Sequence, residues 1–416
     1  MSQTGRPRAE DLSLGRRIGA FIFLMAADFF YGWAWNTVDV LRPYIRTALN
    51  LTLMQAGSMY SAQSAGMLIG AIVLGQLADR VGRRNMLFVV MVGYAASLLL
   101  GVIVQSFAQV LAQRFVLGLF LGGIFPIVVG IYVGLFAQQI RGKLAALYNG
   151  TFNASAVVLG LAMGLIAQEN WRFLLWFGAL PPLLLAGLAF VVVPDDRRFT
   201  AYGHSALSAP PATGSLPILA LFAPDLRRRT LVLALMFGLN FFASQAFVGW
   251  VTTYLREVRS LDAATIGAMV AWQFSASIVG GFVWGWLADR FGRRFNALGF
   301  LFGSLAVVGY VTLPMSNSLV LLAGAAYGFT VAASVVWGPW IAELYPPHLR
   351  STAASIFNWG RVISFFAPLV TAAVAERFGL ATAMLLSAAA LILAALAWWS
   401  LPETLGREAG LRSHDP

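Results

Sequence analysis

The sequence predicts an all-α membrane protein of twelve transmembrane helices arranged as two pseudo-symmetric six-helix bundles. Three observations carry this. Of the 416 residues, 59% are hydrophobic and only 11% charged, where a soluble chain carries about 25% charge, so most of the surface must face lipid. Apolar stretches that approach or exceed the roughly 20 residues a membrane helix needs recur on both sides of a polar interval at 194–229. One ten-residue loop occurs twice, GQLADRVGRR at 75–84 and GWLADRFGRR at 285–294. The alternating short segments of a membrane β-barrel do not occur.

Taken in order, residues 1–17 are polar, hold Arg6, Arg8, Arg16 and Arg17, and lack a signal-peptide cleavage pattern. They are expected to form a cytoplasmic tail before a retained helix. The first bundle, 18–193, has spans near 18–40, 56–77, 86–106, 109–135, 144–166 and 172–193. Residues 194–229 carry Pro194, Pro210, Pro211, Pro217 and Pro224 among polar residues; too poor in apolar side chains to bury a core, they are expected to be a cytoplasmic linker. The second bundle, 230–400, has spans near 230–255, 265–287, 297–314, 319–341, 352–374 and 380–400, and 401–416 is a second cytoplasmic tail. The Lys/Arg bias sets the orientation. With the amino terminus inside, most of the 28 Lys and Arg fall on cytoplasmic segments, while Arg42, Arg46, Arg172, Arg256, Arg259 and Arg377 fall opposite. The expectation is a multi-pass, monomeric protein of a cytoplasmic (inner) membrane, with both termini cytoplasmic.

Several classes are excluded. The net charge is +11, but the single Lys143 and scattered Arg residues build no basic face interleaved with exposed aromatics, so nucleic acid is not an expected partner. With no Cys there is no disulfide or thiolate metal site, and the three His accompany no carboxylate cluster, so neither metal nor cofactor is expected. No P-loop for ATP occurs, and no convergent nucleophile suggests an enzyme.

The repeated loop has its own chemistry. Gly75 and Gly285 are expected to let neighbouring helices approach, Gly82 and Gly292 to permit a tight turn, and Asp79 and Asp289 to accept from helix-start amides or arginine. With Arg80, Arg83, Arg290 and Arg293 they form a breakable charged latch. A merely positive-inside loop would explain the arginines but not the repeated Asp and Gly. Asn149 of LYNGTF and Asn358 of SIFNWG repeat at nearly the same offset. Two halves of common design suit alternating access by rocking bundles.

The paired GxLADRxGRR loops resemble the signature of the major facilitator superfamily, and the resemblance covers essentially the whole chain. NWRFLLWFGALPPLL at 170–184 resembles the start of the sixth helix in its sugar and organic-acid branches, and LPETLG at 401–406 resembles the segment following its twelfth helix. RFVLGLFLGG at 114–123, LGGIFPIVVG at 121–130 and ELYPPHLRSTAASIFNWGR at 343–361 are similar to its organic-anion proton symporters, including carriers of sialic acid, lactate and aromatic acids. The chain departs from that branch by carrying Tyr31, Gly32, Trp33 and Ala34 where the branch often has Asp-Gly-x-Asp, and by lacking an acid near the end of helix 4, in GLFAQQIRGK at 134–143.

A charged side chain at the bilayer centre costs about 2.5–3.5 kcal/mol on insertion scales, so mid-span charges need a reason. Asp28 is the mid-span carboxylate, either a proton acceptor or a polar helix contact. Arg361 lies at comparable depth and either binds a substrate carboxylate through its fork or forms a structural pair with a carbonyl or with Asp28. Arg114 either snorkels to the interface or attracts an anion. Asp39 and Arg42 read as a local pair. Glu343 resembles the family's ExYP segment and is expected to gate with Arg350 or the loop arginines. The resemblance makes helices 1, 4, 7 and 10 cavity-lining, so Tyr31, Trp35, Asn36, Asn240, Gln245, Trp250 and Trp337 are candidate substrate contacts, and Asn358 joins them. The implied function is uptake of a small organic anion, a monocarboxylate or aromatic carboxylate, with protons. Drug or metabolite efflux by proton antiport and neutral sugar transport are the alternatives; GTFNASAVVLGLAMG at 150–164 lacks the antiporter GPxxGG.

Overall fold

The computed structural model describes residues 9–165, 170–198, 217–313, 316–346, 349, 352–353 and 355–405, and among these the regular structure is helical. The chain divides into two compact units, Met1–Pro210 with Asp262–Gly267, and Pro211–Leu261 with Ala268–Pro416.

In the first unit the helices are α1 (Leu14–Val40), α2 (Arg42–Ala48), α3 (Leu53–Val81), α4 (Arg83–Leu100), α5 (Phe107–Leu135), α6 (Gln138–Leu165) and α7 (Trp171–Val192). Side chains start several of them by satisfying first-turn amides: Ser13 accepts from Arg16, Thr52 and Gln55 form a reciprocal capping box, and Ser106 accepts from Gln109. Here α3 packs on α5, α4 on α5 and α7, and α1 on α6 and α7. Next come the single-turn α8 (Pro217–Ala220), α9 (Arg227–Thr253), α10 (Ala263–Phe291), α11 (Ala297–Thr312), α12 (Asn317–Val331), α13 (Trp337–Leu344), α14 (Ile356–Phe378) and α15 (Leu380–Ser400). Within the second unit α9 packs on α14 and α15, and α11 on α12 and α15.

Among the described residues eleven helical segments are long and apolar enough to cross a membrane. The span expected at 352–374 is helical as α14, whose 23 residues would reach about 35 Å at 1.5 Å per residue. It is not among those eleven. The span expected at 319–341 is present as one membrane-length segment, Asn317–Ile341, within which a 3-10 stretch, Ala332–Val336, joins α12 to α13. Asn296, fully buried, donates through Nδ2 to the Ala333 carbonyl inside that stretch and to Trp284 O. At the other expected boundary, α9 begins at Arg227, three residues inside the interval 194–229.

The internal repeat extends into packing. A Cβ on Gly70 would lie 1.8 Å from Leu119 O, and one on Gly280 2.3 Å from Phe329 O. One on Gly118 would meet Gln63 O at 2.0 Å, and one on Gly328 would meet Gln273 O at 2.0 Å. The same register thus joins α3 to α5 and α10 to α12, with backbones too close for any side chain. Gly75 and Gly285 do not have the close-approach role expected of them: a Cβ would find Pro126 only at 3.8 Å in one case and nothing within 4 Å in the other. Gly82 and Gly292 do make the tight turn, at φ +99° and +100°, a region hostile to a β-carbon.

Candidate functional site

On α6, Tyr148, Thr151, Phe152 and Ser155 recur at helical spacing and share one stripe. Against it α1 lays Asp28, Tyr31, Gly32 and Trp35: the rings of Tyr31 and Trp35 stand 5.7 and 6.3 Å from Phe152, and a Cβ at Gly32 would sit 2.4 Å from Ser155 Oγ. Asp28 is 1% exposed. Thr151 Oγ1 lies 2.7 Å from Asp28 Oδ2 and 2.6 Å from the Tyr148 carbonyl. Tyr148 of α6 and Tyr94 of α4 also face the carboxyl. The Tyr148 hydroxyl and the Phe152 amide are within hydrogen-bonding reach of it, and among the described residues no Lys or Arg pairs with Asp28.

A second cluster lies where α1 meets α2. Arg114 of α5 is 1% exposed and donates through Nη1 to Thr37 Oγ1 at 2.9 Å and to Gln63 Oε1 at 3.5 Å. It is therefore held inside the unit and does not snorkel. Asp39 accepts from Arg42 Nη2 at 2.8 Å, the expected local pair. Burial pulls the Arg42 guanidinium below its ordinary range, and Asp39 opposes that shift. Two enclosed guanidiniums thus face one carboxylate.

In the second unit the Arg361 guanidinium carbon lies 5.2 Å from the Phe241 ring centre and 6.0 Å from that of Phe357, within cation–π range. Trp337 is enclosed by Phe237, Trp398 and Phe300 at 4.7, 5.3 and 5.6 Å. Asn240 and Gln245 are buried on α9. In the first unit the Asn36 amide donates back to Gly32 O at 2.7 Å. Among the expected residues the structure brings Asp28 together with Tyr31, and Arg114 with the Asp39–Arg42 pair. Arg350 lies outside the described residues, as do the side chains of Asp79 and Asn358.

Both repeated loops are held by a carboxylate that follows the last helix of their unit. Arg83 N donates to Asp196 Oδ1 and Oδ2 at 3.1 and 3.2 Å, and Arg84 pairs with Asp195 at 3.2 Å. Arg293 N and Arg294 N each donate to Glu403 at 2.9 Å. Burial opposes the charge of Asp195, but hydrogen bonds from Arg197 and the charges of Arg84 and Arg197 outweigh it, holding the carboxyl below the usual range. Burial likewise opposes the Glu403 charge, and four backbone amides overcome it. Arg293 also donates to Asp289 at 2.7 Å and to Glu343 at 2.9 Å, while Arg80 and Arg290 are exposed. Sequence reasoning missed Thr37, Gln63, Tyr94, Tyr148, Thr151 and the two carboxylate clamps. A signal for the clamps existed: Pro194-Asp195-Asp196 and Pro402-Glu403 place proline and acid alike after each final helix.

Repeated helical units carrying enclosed charges within membrane-length helices define a membrane transporter. The chain belongs to the Major Facilitator Superfamily, whose family model matches residues 24–265 and 233–415; it is a transport protein, not an enzyme. It is 26% identical to the gallate transporter of Pseudomonas putida, with 83% of this chain and 82% of that one covered. It is 28% identical to the 3-(3-hydroxy-phenyl)propionate transporter of Escherichia coli, covering 78% and 79%, and to the cis,cis-muconate transport protein of Acinetobacter baylyi, covering 78% and 79%. In fold it is similar to a bacterial homologue of the human lysosomal transporter Spinster, with TM-score 0.77 at 15% identity over 94% of this chain and 97% of that one.

Proposed function

We propose that the chain takes up a small organic anion, a monocarboxylate or aromatic carboxylate, by proton symport through alternating access. Similarity to transporters named for gallate, muconate and hydroxyphenylpropionate supports the substrate class. The observation that carries proton coupling is Asp28: a carboxyl 1% exposed in mid-helix, hydrogen-bonded to α6, with no cation paired to it among the described residues. An ion there is costly, and a proton removes the charge. Arg361 and Arg114 supply planar forks for the substrate carboxylate, and Tyr31, Asn36, Asn240, Gln245, Trp337 and Asn358 complete the proposed contacts. Asp289, Arg293 and Glu343, with Asp79, Arg80, Arg83, Arg290 and Arg350, serve as the gate. The Lys/Arg bias supports both termini being cytoplasmic, and the reading includes a monomer in an inner membrane.

The test uses purified Asp28→Asn in proteoliposomes with radiolabelled gallate and cis,cis-muconate as probes. Counterflow is expected to persist while an imposed proton gradient no longer drives accumulation. Gradient-driven accumulation at the wild-type level would overturn the assignment.

A further inference from the structure

We propose that Thr151 is the positioning residue that transmits the proton state of Asp28 to α6; this rests on the reading of Asp28 as proton carrier. The reasoning is a count of hydrogens. A threonine hydroxyl has one hydrogen and two lone pairs, yet Thr151 Oγ1 stands 2.7 Å from Asp28 Oδ2 and 2.6 Å from the Tyr148 carbonyl. With Asp28 ionised both neighbours are acceptors, and one hydrogen cannot serve both. It goes to the carboxylate, because a charge-assisted bond is the stronger.

When a proton arrives on Oδ2, the direction reverses. The Asp28 hydroxyl donates to a Thr151 lone pair, and the Thr151 hydrogen turns onto the Tyr148 carbonyl. No covalent bond of threonine changes, and every short contact then holds one hydrogen. Back-bonding of a threonine to a carbonyl one turn earlier bends helices, so the switch alters α6 backbone bonding where α6 packs on α1 beside Gly32.

Tyr148 and the Phe152 amide, both of α6, also reach the carboxyl, and Tyr94 faces it from α4; Thr151 is singled out by its one hydrogen between two close acceptors. Tyr132 of α5 stands behind Tyr148, ring centres 6.3 Å apart. Tyr31 of α1 packs on Phe152. Among the described residues α3 and α7 place no titratable group against Asp28.

Infrared difference spectroscopy of the full chain in proteoliposomes, taken across a pH step without ligand, tests this. Asp28→Asn should delete a carboxylic C=O band that appears on acidification. Thr151→Val should keep the band but move it to higher wavenumber, Thr151→Ala should move it equally despite its smaller side chain, and Thr151→Ser should leave it in place. In transport, Thr151→Val should lower gradient-driven gallate accumulation more than counterflow, with Thr151→Ser restoring both. An unmoved band in the valine and alanine variants overturns the role of Thr151, as does a serine band displaced as far as theirs. If Asp28→Asn deletes no band, the Asp28 reading itself falls and takes this inference with it.

Discussion

Replacing Asp39 with Asn isolates the charge arithmetic of the α1–α2 junction. Asp39, Arg42 and Arg114 are 4%, 0% and 1% exposed, and the carboxylate stands 2.8 Å from Arg42 while acting electrostatically on Arg114 as well. The substitution preserves shape but leaves two like charges enclosed without the acid they face. Removing one partner of a buried ion pair typically costs about 3–5 kcal/mol, against a total stability of about 5–15 kcal/mol for a domain. Thermal unfolding of the detergent-solubilised protein, followed by tryptophan emission, should therefore show a large drop in midpoint. Asp39→Asn combined with Arg42→Gln should recover at least half of it, since only Arg114, held by Thr37 and Gln63, then remains. A single variant as stable as wild type, or a double variant no better than the single, would refute the reasoning.

Arg361→Lys keeps the charge but loses the planar fork and the stacking over Phe241, so gallate affinity measured by scintillation proximity should fall about tenfold, roughly 1.4 kcal/mol; equal affinity would reject a bidentate role. Glu403→Gln should speed hydrogen exchange at the Arg293 and Arg294 amides by about tenfold or more, because two partly exposed charge-assisted bonds of about 1.5 kcal/mol or more each are weakened. Since the folded Glu403 carboxyl is held below its ordinary value, the clamp is intact above about pH 4.3 and is lost as pH falls through the lowered folded value. Exchange at those amides that rises instead between neutral and alkaline pH, beyond its intrinsic rate, would contradict this.

The helical class and its spans were legible because lipid leaves a strong compositional trace: few charges and long apolar runs. The repeated loops were legible because a turn at positive φ demands glycine, and Gly82 and Gly292 meet that demand. The same logic failed at Gly75 and Gly285, since small residues mark close approach only where a neighbour is present, and here the tight contacts fall on Gly70, Gly118, Gly280 and Gly328. The 3-10 stretch between α12 and α13 had one mark in the sequence, Pro339, which has no N–H for the Val335 carbonyl; its other partner, Asn296 on Ala333 O, comes from a different part of the chain.

Asp28, Arg361 and Arg114 stood out because a charge inside an apolar run is costly whatever surrounds it. What surrounds it was not legible. Thr151 lies 123 residues from Asp28, and Thr37 lies 77 from Arg114; a threonine in a membrane helix carries no mark of whether its hydroxyl bonds its own backbone or a distant carboxyl. By itself the sequence determined the solvent, the helices and their repetition, because these follow from side-chain transfer energies and local backbone geometry. Only the tertiary structure decided which oxygen receives each buried hydrogen, because hydrogen bonds depend on separations of a few ångströms between helices that sequence spacing does not encode.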